Sequence, residues 1–210
     1  MKKFIPLAIV LSLSFGACAT IYQPPQFFEM RQRHRLVAVL PFDVSISSTR
    51  LPKGMTIEML KEMEKDEGFG TQALFYSRFL KNSADFDVAF QDVDRTNALL
   101  AQNKMGYEEL RTALKEDLAK LLGVDAVISG KIQREKPMSE GAAIAVGILI
   151  GFWGATNKVN IDLSIHDAAT GELFWKYTHQ ISGSVGSSSE QLVKAFTRKI
   201  ARNFPYNIAR

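Results

Sequence analysis

The stretch that decides the fold prediction is Val159–Trp175, with the sequence VNIDLSIHDAATGELFW. In its first half, valine, isoleucine and leucine alternate with asparagine, aspartate, serine and histidine, the pattern of a strand with one buried and one wet face. The segment Asp167–Gly171, DAATG, is typical of a turn in which glycine adopts a positive φ. We therefore predict that the next strand, Glu172–Ile181, pairs antiparallel with the first.

Other apolar runs predict further strands, and apolar residues at helical spacing predict helices, both before and after this segment. Three further strands are predicted, at Leu36–Phe42, Asp87–Gln91 and Ala126–Ile132. The predicted helices are Thr56–Lys65, Phe69–Lys81, Asp94–Leu100, Tyr107–Leu122 and one after Ser187. Gly68 and Gly70 are expected to separate the first two helices. This order predicts an α/β (α+β) fold, with a single mixed sheet and helices packed against it.

Three of these segments carry a resemblance to known proteins: VAVLPF at Val37–Phe42, LLGVDAVISGKI at Leu121–Ile132, and Val159–Trp175. Together they resemble the α/β domain shared by the TolB amino-terminal region, the curli secretion subunit CsgG and the lipoprotein LpoB. The resemblance implies one domain over residues 36–208. It also implies an adaptor, regulator or secretion component, and no enzyme, because the members do not owe their roles to an active site in this domain.

Residues 1–17 have the features of an export signal. Lys2 and Lys3 precede Phe4–Phe15, a mostly apolar stretch of 12 residues. That length is short of the ~20 residues that a membrane-spanning helix needs. We therefore expect the signal to be removed from the finished protein.

The sequence around the single cysteine, Phe15-Gly16-Ala17-Cys18, resembles the lipobox of bacterial lipoproteins. The resemblance implies cleavage before Cys18 and acylation of this residue. Alanine at position 19 implies sorting to the outer membrane, with the domain on the periplasmic side. The alternative is an ordinary secretory signal cut after Ala17 or Ala19, with an incidental Cys18.

Residues 18–35 are predicted to form a tether behind the lipidated cysteine. Pro24-Pro25 favours an extended backbone, and at ~3.3 Å per residue the segment would reach at most ~55 Å. Arg31, Arg33 and Arg35 could meet lipid phosphates, or could simply form a solvated entry to the first strand.

An uncharged, glycine-containing insert of 15 residues follows at 141–155, GAAIAVGILIGFWGA. As a helix it would span ~22 Å, less than the bilayer core, and it lacks the alternation of a porin-like strand. Three alternatives remain: a buried core element, a partner or self-association surface, and a membrane contact. The candidate contact residues are Ile144, Val146, Gly147, Ile148, Leu149, Ile150, Gly151, Phe152 and Trp153.

The sequence does not favour an enzyme, a cofactor site or a metal site. GxSxG, HExxH and GxxxxGK[ST] motifs do not occur, and the GxGxxA match at Gly68–Ala73 follows an acidic segment that would repel a phosphate. Asp162, His166 and His179 could form a metal site, but we favour a surface His166 and a core His179. Without the signal, 24 basic residues face 22 acidic ones, so we predict no nucleic-acid partner.

These features together predict a non-catalytic outer-membrane lipoprotein that acts as an adaptor in envelope biogenesis, secretion or cell-wall assembly. Its predicted partners are outer-membrane lipid, through acylated Cys18, and other envelope proteins, with homo-oligomer formation left open. The alternative is a CsgG-like subunit of an oligomeric secretion channel or ring, in which 141–155 would line or seat the oligomer.

Overall fold

The computed structural model describes residues 20–48, 51, 54–136, 158–182, 189–201 and 203–208. The export signal, Cys18 and the apolar insert 141–155 lie outside these residues. The predictions for those segments are therefore not tested by the fold.

The described residues form seven strands and six helices. The strands are β1 (Thr20–Tyr22), β2 (Leu36–Val39), β3 (Asp43–Ser48), β4 (Ala89–Phe90), β5 (Ala126–Lys136), β6 (Lys158–Asp167) and β7 (Leu173–Ser182). The helices are α1 (Phe27–Arg33), α2 (Ile57–Lys81), α3 (Val93–Gln102), α4 (Tyr107–Thr112), α5 (Lys115–Leu122) and α6 (Ser189–Ile200). A short 3₁₀ turn at Ser83–Asp85 follows α2.

The strands form one mixed sheet in the order β1-β7-β6-β5-β2-β4, and β3 continues along β5 beyond the end of β2. Strand β2 pairs in parallel with β4 and β5, and β3 pairs in parallel with β5. The pairs β5–β6, β6–β7 and β7–β1 are antiparallel. The predicted class, an α/β fold with helices packed against a mixed sheet, is confirmed.

The hairpin predicted from Val159–Trp175 is also confirmed, since β6 and β7 pair antiparallel over most of their length. Gly171 in the connecting turn has a φ of +74°, the left-handed conformation that glycine adopts without strain. Asp167 fixes the same turn, because its carboxylate accepts hydrogen bonds from the backbone N–H and the hydroxyl of Thr170.

Three local predictions were wrong. Helix α2 runs without a break through Gly68 and Gly70. A Cβ at Gly68 would collide with the Phe42 carbonyl oxygen, so this glycine permits close packing of α2 against the chain between β2 and β3 and does not end the helix. The predicted helix over 107–122 is two helices, α4 and α5, separated at 113–114. The helix predicted to begin at Asp94 begins at Val93 as α3, and its cap is Asp92, whose carboxylate accepts hydrogen bonds from the backbone N–H groups of Asp94 and Arg95.

The two faces of the sheet are covered differently. Helices α2 and α6 cover one face, where a cluster rich in aromatic side chains, including Phe75, Trp175 and Phe196, is fully buried. On the other face, α3, α4 and α5 cover mainly β2 and the beginning of β5, with Leu40 and Val127 in the core beneath them, and α5 also contacts β6. Over β6 and β7 this second face is polar.

Candidate functional site

The amino-terminal segment is docked on the domain. Strand β1 pairs with the edge strand β7, with Thr20 opposite Thr178 and Tyr22 opposite Lys176. The Phe27 ring of α1 stacks on Phe174 with ring centroids 4.8 Å apart. The prediction of a tether is therefore wrong for residues 20–35, because a free strand edge and buried aromatic area both favour docking.

A buried polar network connects this segment to both the β6–β7 turn and the carboxyl-terminal tail. His34 Nε2 lies 2.9 Å from Asp167 Oδ1, and His34 Nδ1 lies 2.7 Å from the Tyr206 hydroxyl. Arg33 adds a longer contact of 3.4 Å to Asp167. The network joins parts of the chain that are far apart in sequence, so no local pattern predicts it.

The protonation states of the network follow from its burial and hydrogen bonds. Burial lowers the pKa of His34, more strongly than the hydrogen bond and charge of Asp167 raise it. Burial opposes ionisation of Asp167, but hydrogen bonds from His34 and Thr170 outweigh it and lower the pKa of this carboxyl. A neutral His34 therefore donates from Nε2 to Asp167 and accepts from the Tyr206 hydroxyl at Nδ1.

The order of the groups, tyrosine, histidine and aspartate, is that of a proton relay, but no substrate can reach it. The side chains of His34 and Asp167 are 0% and 1% exposed, and Tyr206 is fully buried. A general base must come within hydrogen-bond reach of the proton that it removes. We therefore assign this network to holding residues 20–35 on the domain.

A polar cleft lies on the partly covered face of the sheet, where β3, β5, β6 and β7 meet α4 and α5. Its volume is about 280 Å³. The charged and hydroxyl groups that line it are Asp43, Tyr107, Arg111, Lys115, Ser129, Lys131, Asp162, Ser164 and Lys176. Asp43 pairs with Arg111 at 3.0 Å and with Lys131 at 3.9 Å, and Asp162 pairs with Lys176 at 3.5 Å.

Other groups of the polar cleft have no such partners in the described part of the chain. Lys115 donates only to the carbonyls of Leu110 and Ala113, at 3.0 and 3.3 Å, and burial lowers the pKa of its ammonium group. The hydroxyls of Ser129 and Ser164 make no hydrogen bond to a described protein group. An ammonium and two hydroxyls in one concave site are suited to binding an anionic or hydroxyl-bearing group of a partner.

The residues considered for a metal site are not brought together. Asp162 and His166 belong to the polar face of β6, whereas His179 is buried on the opposite face, 2.8 Å from the Lys199 ammonium. The core position of His179 is confirmed, but His166 is half-buried and not on the surface, and burial lowers its pKa. Among the residues that the structure describes, no group of three histidine, cysteine or acidic side chains could hold a metal ion.

The glycine pattern at Gly68–Ala73 lies in the interior of α2. Its backbone N–H groups are engaged within the helix, so it offers no free helix N-terminus to a phosphate. The dinucleotide interpretation, already disfavoured by the sequence, is thereby contradicted.

A buried ion pair was missed by the sequence analysis. Arg134 of β5 donates from Nε to Glu67 of α2 at 2.9 Å, and the Ser189 hydroxyl of α6 donates to the same oxygen at 3.1 Å. Arg134 follows Ile132 by two positions, which in a strand directs it to the same core face. An arginine at a core-facing position of a predicted strand is the signal in the sequence that could have identified the ion pair.

No helix among the described residues has the length and apolar character needed to cross a bilayer. The segments that carry the predicted signal, lipidation site and contact residues lie outside that part of the chain.

No known protein family and no curated protein matches the sequence. Solved structures do match. Lipoprotein GNA1162 from Neisseria meningitidis is 15% identical, with 80% of this chain and 99% of that chain covered and a TM-score of 0.47. The PelC dodecamer from Paraburkholderia phytofirmans is 15% identical, with coverages of 93% and 100% and a TM-score of 0.42.

The carboxyl-terminal domain of LpoB from Salmonella enterica also matches, at 10% identity, coverages of 75% and 93%, and a TM-score of 0.35. The proteins with similar structures thus include a bacterial lipoprotein and LpoB, one of the proteins that the sequence segments resemble. At these identities and TM-scores the similarity is one of general chain arrangement and carries no information on function.

Proposed function

We propose that this protein is a lipid-anchored protein on the periplasmic side of the bacterial outer membrane, acting as a non-catalytic adaptor in envelope biogenesis, secretion or cell-wall assembly. One observation carries the proposal: the lipobox-like sequence ends at Cys18, and β1, the first strand that the structure describes, begins two residues later at Thr20. A lipid-modified cysteine at that position would hold the domain directly against its membrane.

The distance available between anchor and domain supports this arrangement. Two residues span at most ~7 Å. The edge of the sheet formed by β1 would therefore lie next to the lipid headgroups. Three apolar side chains near this edge are exposed, Ile21 by 40%, Tyr22 by 47% and Phe28 by 73%. Exposed aromatic and aliphatic groups beside an anchor are suited to the membrane interface.

The direction of the strands gives the apolar insert a place in the same proposal. Strand β1 runs antiparallel to β7, so its amino-terminal end points toward Ser182, which pairs with Lys158. Lys136 and Lys158, the strand ends that flank the connection containing 141–155, lie at this same end of the sheet. A connection that leaves and re-enters the sheet at the end toward which β1 points favours a membrane contact or a self-association surface for the insert over a core element.

The polar cleft is the proposed contact site for an envelope partner. It lies on the sheet face that the helices leave partly open. Its Lys115 ammonium and the hydroxyls of Ser129 and Ser164 have no side-chain partner among the described residues. Such groups recognise a partner by charge and hydrogen bonding more than by apolar burial.

The anchor is tested by expressing the full chain in a bacterium and comparing it with Cys18→Ser. The unsubstituted protein should be recovered with the outer membrane and carry acyl groups on its amino-terminal cysteine by mass spectrometry. The Cys18→Ser protein should lose both properties, whereas Ser12→Ala, a control within the signal, should keep them. Membrane recovery of Cys18→Ser together with an unmodified Cys18 in the parent would contradict the proposal.

The apposition of β1 to lipid is tested separately, by fluorescence quenching in vesicles that contain brominated lipids. In a Trp153→Phe background, Ile21→Trp should be strongly quenched. Lys120→Trp, at an exposed position of α5, which packs over β2 and the beginning of β5, serves as the matched control and should be quenched less. Equal quenching at the two positions would contradict a domain held with β1 against the bilayer.

The uncharged insert keeps the second candidate function open, a subunit of an oligomeric channel or ring. This alternative predicts a large assembly in detergent, whereas the adaptor predicts a monomer or dimer. Light scattering of the protein extracted from membranes distinguishes the two.

A further inference from the structure

A second cavity lies on the opposite side of the domain from the polar cleft, between the carboxyl-terminal ends of α2 and α6. Its volume is about 360 Å³. Neither the proposed anchor nor the proposed partner contact uses it. Its floor and its rim differ in chemistry, and this difference indicates what kind of ligand it would hold.

The floor of this cavity is aromatic. Phe79, Phe86 and Phe204 form a cluster in which the three ring-centroid distances are 5.1, 5.6 and 5.7 Å. Phe79 and Phe204 are buried within the domain, and Phe86 is half-buried. Rings that pack on one another in this way form a fixed apolar surface, which an aliphatic chain can cover without rearrangement of the protein.

The rim of the cavity is cationic. Arg78 comes from α2, and Lys194 and Arg198 come from α6. In the part of the chain that the structure describes, none of the three forms an ion pair with a carboxylate, although one acidic residue, Asp85, also lines the cavity. The helix dipole favours basic residues near helix C-termini, but it does not require charges from two helices to line one cavity.

We propose that this cavity binds an amphiphilic anion, a single acyl chain with a carboxylate or phosphate head group. The chain would lie on the phenylalanine floor, and the head group would meet Arg78, Lys194 and Arg198 at the rim. A neutral apolar ligand would leave the three cations without a counter-charge, and a polar anion without a chain would leave the floor uncovered. Burial of methylene groups and charge pairing at the rim act together only for a ligand that has both parts.

The test uses the full chain with Cys18→Ser and Trp153→Phe, so that no covalent acyl group competes and Trp175 is the only tryptophan. The Trp175 ring lies 5.8 Å from Phe204, which makes its fluorescence a reporter of the cavity floor. Dodecanoate and dodecyl phosphate should bind saturably. Dodecyltrimethylammonium, with the same chain and the opposite charge, should bind at least about tenfold more weakly.

Charge reversal at the rim sharpens the test. Arg78→Glu with Arg198→Glu should weaken dodecanoate binding by at least about tenfold and improve binding of dodecyltrimethylammonium. The matched control is Arg95→Glu with Lys120→Glu, which makes the same charge change on exposed positions of α3 and α5. Circular dichroism of each protein establishes that it is folded.

A further variant fills the cavity without changing its charge. Ala201→Phe places a ring in the cavity and should block both dodecanoate and dodecyl phosphate, as measured by calorimetry. Equal affinity for the anionic and cationic probes would overturn the proposal, as would unchanged binding after charge reversal or the absence of saturable binding. The anchoring proposal would survive each of these results, because no step here depends on an acylated Cys18.

Discussion

The two faces of the sheet are built from the same strands and serve different purposes. In β6, Val159, Ile161 and Leu163 point to the face that α2 and α6 seal, whereas Asn160 and Asp162 point to the face that remains polar. The sealed face supplies the buried apolar area that stabilises the fold. Over β6 and β7 the other face carries polar side chains and is left largely uncovered, so its residues there are available for contacts with a partner.

The largest expected effect of a single substitution is on the sealed face. Phe75 is fully buried and stacks on Phe42 with ring centroids 4.8 Å apart. Phe75→Ala should lower the free energy of unfolding by about 3–5 kcal/mol, because it removes a large ring and leaves a cavity. Urea unfolding followed by circular dichroism measures this. Leu80→Ala, at an exposed position of the same helix, should change stability by less than about 1 kcal/mol.

The second largest effect on the free energy of unfolding is expected at the buried ion pair between Glu67 and Arg134, on the sealed face. Glu67→Gln removes the carboxylate that Arg134 and Ser189 share, and should cost about 2–3 kcal/mol in urea unfolding because it weakens charge-assisted hydrogen bonds. The control Glu62→Gln breaks an exposed contact with Lys65 and should cost less than about 1 kcal/mol. If the two variants lost similar amounts of free energy of unfolding, burial would not determine how much each contact stabilises the fold.

The pH dependence of stability tests the buried network of His34, Asp167 and Tyr206. Because burial lowers the pKa of His34 below its ordinary value of 6.5, the unfolded chain takes up its proton first as the pH falls. The stabilising contribution is therefore complete above pH 6.5 and is lost on acidification below it.

Thermal unfolding between about pH 7.5 and about pH 5.5 should show a falling Tm, and His34→Gln should make the fall shallower. Burial also lowers the pKa values of His166 and His179, so the slope should be reduced and not abolished. A slope that His34→Gln leaves unchanged would contradict a buried neutral His34.

The smallest expected effect on stability belongs to the open face. Ser164→Ala in the polar cleft should change the free energy of unfolding by no more than about 0.5 kcal/mol. The same substitution, combined with Lys115→Ala, should reduce crosslinking to envelope proteins in cells. A large loss of stability on Ser164→Ala alone would mean that the open face also carries the fold.

The sequence predicted best where a local pattern determines the structure. Alternation along Val159–Trp175 identified both the hairpin and the difference between its faces. Prediction failed where a distant group determines the structure. Gly68 is explained only by its closeness to the Phe42 carbonyl, and the predicted strand Leu36–Phe42 ends at Val39, with β3 beginning at Asp43. For the same reason the His34 network was missed, since Tyr206 lies 172 positions away in the sequence.

The place where β1 begins has a consequence for the order of events during maturation. Under the proposed lipidation, the peptidase that cuts before Cys18 needs an accessible, extended chain, and pairing with β7 starts only two residues further on. Processing and acylation would then come before β1 joins the sheet, and the last strand to be added would close the domain onto a membrane to which it is already attached. A domain attached in this way would keep one orientation relative to the lipid surface. It would therefore contact only partners that come to that surface.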